Sequence, residues 1–338
     1  MAAVRESYGD TWVRAESSSA VGAVRRMATD LAEINGFSSE RTGQTAVAVT
    51  EAVSNLVKHA VEGVVMVRPQ PMDPSVVELV AIDKGPGMPD VARALRDGYS
   101  TSGTLGIGMG AITRIASWYD VHSLPGKGTV LVLRFAAADP PGPPPSASGL
   151  SRPIGEESVC GDAFAIAATG TASAPATTVM LCDGLGHGPL AAQASTAAVE
   201  IFLRDPGLEP TTMLDRLHNG LRGTRGGAVA VARVTPGGVS YAGIGNISGW
   251  ITTAEGRQGM ISVPGIAGHQ GRRLRQYEYE LPEHATVVMH SDGLTERWDP
   301  MAVPGLLARS PAVVAAGLLR EAGSRRDDAC VVTVRPGR

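Results

Sequence analysis

Thr177-Thr-Val-Met-Leu-Cys-Asp183-Gly-Leu-Gly-His-Gly188 is an apolar run that ends on an aspartate and passes at once into glycines. The run reads as a buried strand, and its last residues deliver the aspartate to a turn where the backbone can approach a ligand closely. The same construction recurs in Ala285-Thr-Val-Val-Met-His-Ser291 before Asp292-Gly293. Gly161-Asp162 precedes the apolar stretch Ala163-Phe-Ala-Ile-Ala-Ala168, and Asp327-Asp328 precedes Ala329-Cys-Val-Val-Thr-Val334. A lone Asp-Gly pair is an ordinary turn. Four acidic sites at the ends of apolar strands can instead converge on one rim of a sheet sandwich. Like charges gathered there repel unless cations stand between them, so a metal site resolves the pattern. An all-oxygen donor set suits magnesium or manganese better than zinc.

Other polar residues of this half read less sharply. His187, between Gly186 and Gly188, reads equally as a catalytic acid and as a support for the loop. Asn246 in Gly243-Ile-Gly-Asn-Ile247 reads as a turn residue, and His290 as a packed strand residue. Cys160, Cys182 and Cys330 lack CxxC spacing, which points to small buried core residues and away from a disulfide framework or a zinc knuckle.

The N-terminal half carries a different chemistry. Apolar spacing predicts a helix over residues 20–34, stopped by Asn35-Gly36, and a second over 39–62. On the second, Glu51, Asn55, Lys58 and Glu62 recur at three- and four-residue intervals and share a face that can address a ligand. Val76-Val-Glu-Leu-Val-Ala-Ile82 reads as a strand leading into Asp83-Lys-Gly85-Pro-Gly87, where the aspartate can accept a hydrogen bond from an adenine amino group. Gly106-Ile-Gly108-Met-Gly110 opens a predicted helix over 111–118, and glycines at a helix N-terminus offer amides to an anion such as phosphate. A dinucleotide-binding glycine motif would need an apolar strand leading directly into those glycines, and none does. A Walker loop is excluded because Gly126-Lys127 is followed by Gly128.

Between the halves lies Ala138-Asp-Pro-Pro-Gly-Pro-Pro-Pro-Ser-Ala-Ser-Gly149, whose five prolines predict a semi-stiff spacer. The expected division is residues 1–137, a linker at 138–149, and 150–338. A chain of 338 residues exceeds what one core usually serves, so two domains are expected. A net charge of -3 and an aromatic content of 4% give no reason to expect nucleic acid as a partner. No run of 18 apolar residues suggests a membrane span, and Met1-Ala-Ala-Val-Arg-Glu-Ser lacks the order of a signal peptide, so a cytoplasmic protein with no membrane partner is expected.

Taken in order, the motifs of residues 17–135 resemble the GHKL (Bergerat) ATP-binding fold, and within it the bacterial serine kinases of the RsbT and RsbW anti-sigma type. Glu51-Ala-Val-Ser-Asn55 matches the N box, Asp83 to Gly87 the first glycine box, Gly106 to Gly110 the second, and Gly126-Lys-Gly-Thr129 the late Gly-x-Gly-Thr turn; Asn35-Gly-Phe-Ser38 resembles a segment of the RsbT branch. The resemblance implies ATP with magnesium held by Asn55, adenine at Asp83 and Thr129, glycines 85, 87, 106, 108 and 110 around the nucleotide, and Glu51 as base for a substrate hydroxyl. Residues 151–335 resemble the metal-dependent serine/threonine phosphatases of the SpoIIE and RsbX branch. Here the resemblance implies an αββα sandwich of the PPM type and two manganese or magnesium ions. Asp183 and the Gly184 carbonyl would bridge the ions, Asp162 would serve directly or through water, and Asp292 with Asp327 or Asp328, the former preferred, would hold the other. The family's arginine phosphate grip has no matching position.

Both halves are therefore expected to be α/β (α+β) in class. Joined, they imply a kinase and a phosphatase of opposite effect on a serine of a STAS-type antagonist protein, controlling a sigma factor or similar effector, with relatives that often form homodimers. The alternatives are an ATP-dependent binding switch in which only the phosphatase half turns over, and a phosphatase acting on a small phosphorylated metabolite.

Overall fold

The computed structural model describes residues 10–95, 108–138, 145–155, 157–269, 274–324 and 326–336. The chain divides into two compact units. One takes Thr11–Pro144 together with Ala308–Arg320, and the other takes Asp10, Pro145–Leu307 and Glu321–Arg338. The division falls at Pro144 and Pro145, inside the proline-rich segment. Residues 308–320, expected with the C-terminal half, group with the N-terminal unit, where the Ser310 amide donates to Asp120 at 2.7 Å and Arg309 pairs with the same carboxylate at 3.5 Å.

The first unit contains, in chain order, β1 (Trp12–Arg14), α1 (Ser18–Ile34), α2 (Ser39–His59), β2 (Val64–Gln70), β3 (Asp73–Ile82), α3 (Val91–Ala94), α4 (Gly108–Ile115), β4 (Trp118–Leu124) and β5 (Gly128–Phe135). Its strands form an antiparallel sheet in the order β1-β2-β3-β5-β4. One face of the sheet, carrying Val65, Val67, Leu79, Leu131 and Leu133, packs against Val24 and Ala28 of α1 and Val49 and Val53 of α2. The helical period of the first 60 residues and the period of two in β3 thus bury matching faces. Ser38 caps α2 by accepting from the Arg41 amide.

On the other face Arg68, Glu78 and Arg134 stand in register across β2, β3 and β5, all buried. Arg68 reaches Glu78 at 2.9 Å and Arg134 reaches it at 2.8 Å, while the Arg134 guanidinium also lies 4.4 Å from the Trp118 ring centroid. Burial alone would raise the Glu78 carboxyl, but the two guanidiniums outweigh it and hold the group below its ordinary range.

The second unit contains β6 (Ala147–Arg152), β7 (Asp162–Thr171), β8 (Ala174–Gly184), α5 (Pro189–Arg204), α6 (Pro210–Gly220), β9 (Gly227–Thr235), β10 (Gly238–Ile244), β11 (Ser248–Thr252), β12 (Arg257–Met260), β13 (Tyr277–Glu280), β14 (Thr286–His290) and β15 (Ala329–Val334). A further helix, α7 (Pro311–Ala322), lies between the last two strands in sequence. Two antiparallel five-stranded sheets form, in the orders β13-β10-β9-β8-β7 and β12-β11-β14-β15-β6. Helices α5 and α6 cover the first of them through Val199, Phe202, Met213, Leu214 and Leu217, which meet Met180, Cys182, Val229 and Val231. All three cysteines are free and buried, as their spacing predicts. Among the described residues, no helix is long and apolar enough to cross a membrane.

Candidate active sites

In the first unit a cavity of about 420 Å³ opens between α2, the turn after β3, and the start of α4. Glu51, Asn55, Lys58 and His59 line it from one helix face, because residues three and four apart share a side. Asp83, Gly87, Met88, Gly108, Thr129 and Leu131 line the rest.

Asp83 is buried and fixed at the floor of this cavity: its Oδ1 accepts from the Gly85 amide at 2.6 Å, and its own amide donates to the Thr129 carbonyl at 2.9 Å. Burial pushes its carboxyl upward against the pull of those backbone bonds. The glycine turn is clamped onto the β4–β5 hairpin. The Gly126 amide donates to Pro86, the Met88 amide donates to the Ser123 hydroxyl at 2.8 Å, and that hydroxyl pairs with Thr129 Oγ1 at 2.9 Å. Gly87 has φ of +65°, and a Cβ there would lie 2.0 Å from the Leu124 carbonyl oxygen, so only glycine closes the clamp. A slot with one fixed buried acceptor, a hydroxyl beside it and polar side chains from one helix suits an adenine nucleotide.

In the second unit Asp162, the first residue of β7, stands directly opposite Asp183, near the end of β8. The loops after β14 and before β15 bring Asp292, Asp327 and Asp328 to the same rim. Gly293 is needed there, since a Cβ on it would fall 1.8 Å from the Asp328 carbonyl oxygen. Asp162 is buried, and burial first, then the charge of Asp183, raises its carboxyl well above the ordinary range. Asp183 is pushed up to about 7 by burial and then by Asp292 and Asp327. Asp292 is raised by burial and by Asp327.

Among the described residues, no three His, Cys, Asp or Glu side chains converge closely enough to hold an ion, so the expected cage of four ligands is not closed. The outer carboxylates accept hydrogen bonds of their own. Asp292 Oδ2 accepts from Asn246 Nδ2 at 2.8 Å, and Asp327 Oδ1 accepts from the Asp328 amide at 2.9 Å. Asp328 accepts from the Ile154 amide at 2.8 Å with one oxygen and from the Gly161 amide at 2.9 Å with the other, which makes it a buried bracket between loops. Asp162 Oδ2 is different: it is buried and has no hydrogen-bond partner. An orphaned carboxylate oxygen beside a second carboxylate is a donor set that fits a hard divalent cation.

Comparison with known proteins finds a different family for each part of the chain. The family described as "Histidine kinase-like ATPase domain" matches residues 13–135, and the family "Stage II sporulation protein E (SpoIIE)" matches residues 173–336. Over 109 residues the chain is 30% identical to the serine/threonine-protein kinase RsbT of Bacillus subtilis, covering 32% of this chain and 81% of that protein. The chain belongs to the RsbT kinase family. This RsbT-family chain also carries a segment, residues 173–336, that matches the SpoIIE family. A solved chain of the bacterial stressosome, "a modular system that has been adapted to control secondary messenger signaling", is 27% identical with a TM-score of 0.51, covering 56% of this chain and 98% of that one. RsbX in complex with magnesium is 17% identical with a TM-score of 0.49, covering 55% and 92%.

In this RsbT-family chain the cavity gathers Glu51, Asn55, Asp83, Gly87, Gly108 and Thr129, while Gly85 packs directly behind Asp83, and Gly110 is buried in α4. Gly106 lies outside the described residues. Glu62 does not join the helix face: α2 ends at His59, and Glu62, with φ of 53°, pairs instead with Lys84 at 3.2 Å. Gly184 packs beside Gly161, to whose carbonyl its amide donates at 3.2 Å.

Asn246, read from sequence as a turn residue, touches a site carboxylate. The signal that would have found it is register: Ser248 pairs with His290, so two residues outward along the same antiparallel pair Asn246 meets Asp292. His290 is fully buried in β14, with Nδ1 donating to the Ser291 carbonyl at 2.9 Å and Nε2 accepting from the Trp250 and Trp298 indoles at 3.3 Å each. His187 is exposed and lies 3.0 Å from Glu157, which orients its ring.

Proposed function

We propose that this chain is a bifunctional signalling regulator: the first unit transfers the γ-phosphoryl of ATP to a serine of a STAS-type antagonist protein, and the second hydrolyses that phosphoserine. The observation that carries the phosphatase half is the buried, orphaned Asp162 oxygen facing Asp183 on neighbouring strands. Burying two opposed carboxylates costs stability unless they serve a ligand.

In the kinase half, Asp83 accepts from the adenine amino group and Thr129 supports it, while the amides at the start of α4 receive phosphates. Asn55 would supply an oxygen to a magnesium ion, and Glu51, one turn earlier on α2, takes the proton of the incoming serine hydroxyl. In the phosphatase half, Asp183, the Gly184 carbonyl, Asp162, Asp292 and Asp327 would hold divalent manganese or magnesium ions. When bound, such ions activate water and neutralise charge on phosphoryl oxygens. Asp327 is favoured over Asp328 because both oxygens of Asp328 already accept backbone bonds. Asn246 keeps Asp292 oriented.

Joining opposed activities in one chain raises the local concentration of each around a bound target. The partner's release of a sigma factor, a cytoplasmic setting and pairing into homodimers follow from the same partner-switching reading. The test is incubation of the full chain with radiolabelled ATP, magnesium and a STAS-domain protein, followed by manganese. Label should enter a serine of that protein and then leave as inorganic phosphate. A stable ATP-dependent complex that never becomes labelled would replace kinase turnover with a binding switch. Hydrolysis of small phosphoesters with none of the phosphoprotein would point to a metabolite phosphatase.

A further inference from the structure

Arg222-Gly-Thr-Arg225-Gly-Gly227 leads into β9 and has no part in the chemistry above. Its backbone lies along the loop that follows Asp183: the Leu185 amide donates to the Gly226 carbonyl at 3.0 Å, and a Cβ on Gly227 would fall 2.2 Å from the Asp183 carbonyl oxygen. The segment is locked from both sides. Thr224 Oγ1 donates to the Leu221 carbonyl at 2.7 Å and accepts from the Gly226 amide at 2.9 Å, while His269 Nε2 donates to the Arg225 carbonyl at 3.0 Å. Gly227 and Ala267 exchange two further backbone bonds.

The side chain on this rigid backbone is exposed, and its guanidinium has no hydrogen-bond or carboxylate partner among the described residues. Its Nη1 lies 3.2 Å from where a Cβ on Gly186 would stand. The Gly186 carbonyl in turn lies 3.4 Å from the Cβ position of Gly161, the neighbour of Asp162. The exposed guanidinium of Arg225 thus lies against Gly186, in the loop that follows Asp183. Gly186, with φ of +88°, leaves it room.

We infer that Arg225 binds the phosphoryl group of the substrate, donating from its guanidinium to non-bridging oxygens of the phosphoserine. The inference rests on the phosphatase reading and extends it by naming the residue that draws a dianion to an acidic rim. A planar guanidinium matches phosphate oxygens in a forked geometry that an ammonium cannot reproduce.

The test uses the full chain, with manganese, and inorganic phosphate as the probe. Arg225→Gln should weaken phosphate binding by about tenfold to a hundredfold. The same variant should raise KM for a phosphoserine protein, with manganese affinity and melting temperature unchanged. Arg225→Lys should recover only part of the loss. Equal phosphate binding by wild type and Arg225→Gln, or no phosphate binding by manganese-loaded wild type, overturns the inference. Phosphate binding that depends on Arg225 in a protein that hydrolyses no phosphoester would sustain it while removing the phosphatase reading.

Discussion

Asp162 and Asp183 face each other directly across the β7–β8 pair. Like charges in that position are destabilising, and burial with neighbouring acids holds both groups above the ordinary carboxylate range, Asp183 at about 7. A folded-state value raised above the unfolded one means a contribution to stability that is complete below about pH 4 and is lost as pH rises through the folded value. Without metal, the melting temperature should therefore fall between about pH 4 and pH 7, and Asp183→Asn should flatten that fall. Thermal melts in chelator across this range check it. Parallel profiles for the two proteins would contradict it.

Asn246 holds Asp292 by a 2.8 Å bond from its amide nitrogen. Partners that orient a metal-binding carboxylate are typically worth about tenfold to a hundredfold in metal affinity. Asn246→Ala should weaken manganese binding by that factor in calorimetric titration, with the fold intact because the side chain is exposed. Unchanged affinity would return Asn246 to the role of a turn residue.

Much of this was legible in the chain. The positions of Asp162, Asp183, Asp292 and Asp327 beside strands follow from aspartates that border apolar runs, and β15 spans the stretch expected for it. The helix expected over 111–118 lies too far along: α4 runs Gly108–Ile115, and Trp118 already begins β4. Arg41 explains the early stop, since its guanidinium donates to the Ile115 carbonyl at 2.9 Å while the Ser117 amide joins the Arg134 carbonyl. A side chain from 74 residues earlier ends the helix, and no local pattern announces that. The contact of Asn246 with Asp292 is not announced locally either, because it depends on register between strands distant in sequence.

In the first unit, Asp83→Asn keeps an oxygen for the Gly85 amide but turns a donor toward any adenine amino group. ATP affinity should fall about tenfold to a hundredfold, measured by titration with a fluorescent nucleotide, while phosphoester hydrolysis by the second unit is preserved. Undiminished nucleotide binding would remove adenine from this cavity.

Glu78 is fully enclosed with Arg68 and Arg134. Removing one member of such a group leaves buried charge uncompensated, at a cost of about 3–5 kcal/mol. Glu78→Gln should lower the melting temperature of the first unit by that measure. Since the folded-state carboxyl lies below its ordinary range, its contribution is present above the unfolded value and is lost as pH falls through the folded one. Wild type should accordingly lose this advantage over the variant in acid, and a constant gap down to pH 2 would contradict it.

The account turns on whether the opposed carboxylates of the second unit hold divalent cations. Crystals grown with manganese and measured for anomalous scattering decide this most directly. Two manganese peaks are expected, one between Asp162 and Asp183 and one shared with Asp292 and Asp327, both lost in Asp183→Asn. Absence of any peak at this rim, in a protein that still hydrolyses phosphoserine in the presence of chelator, would contradict it.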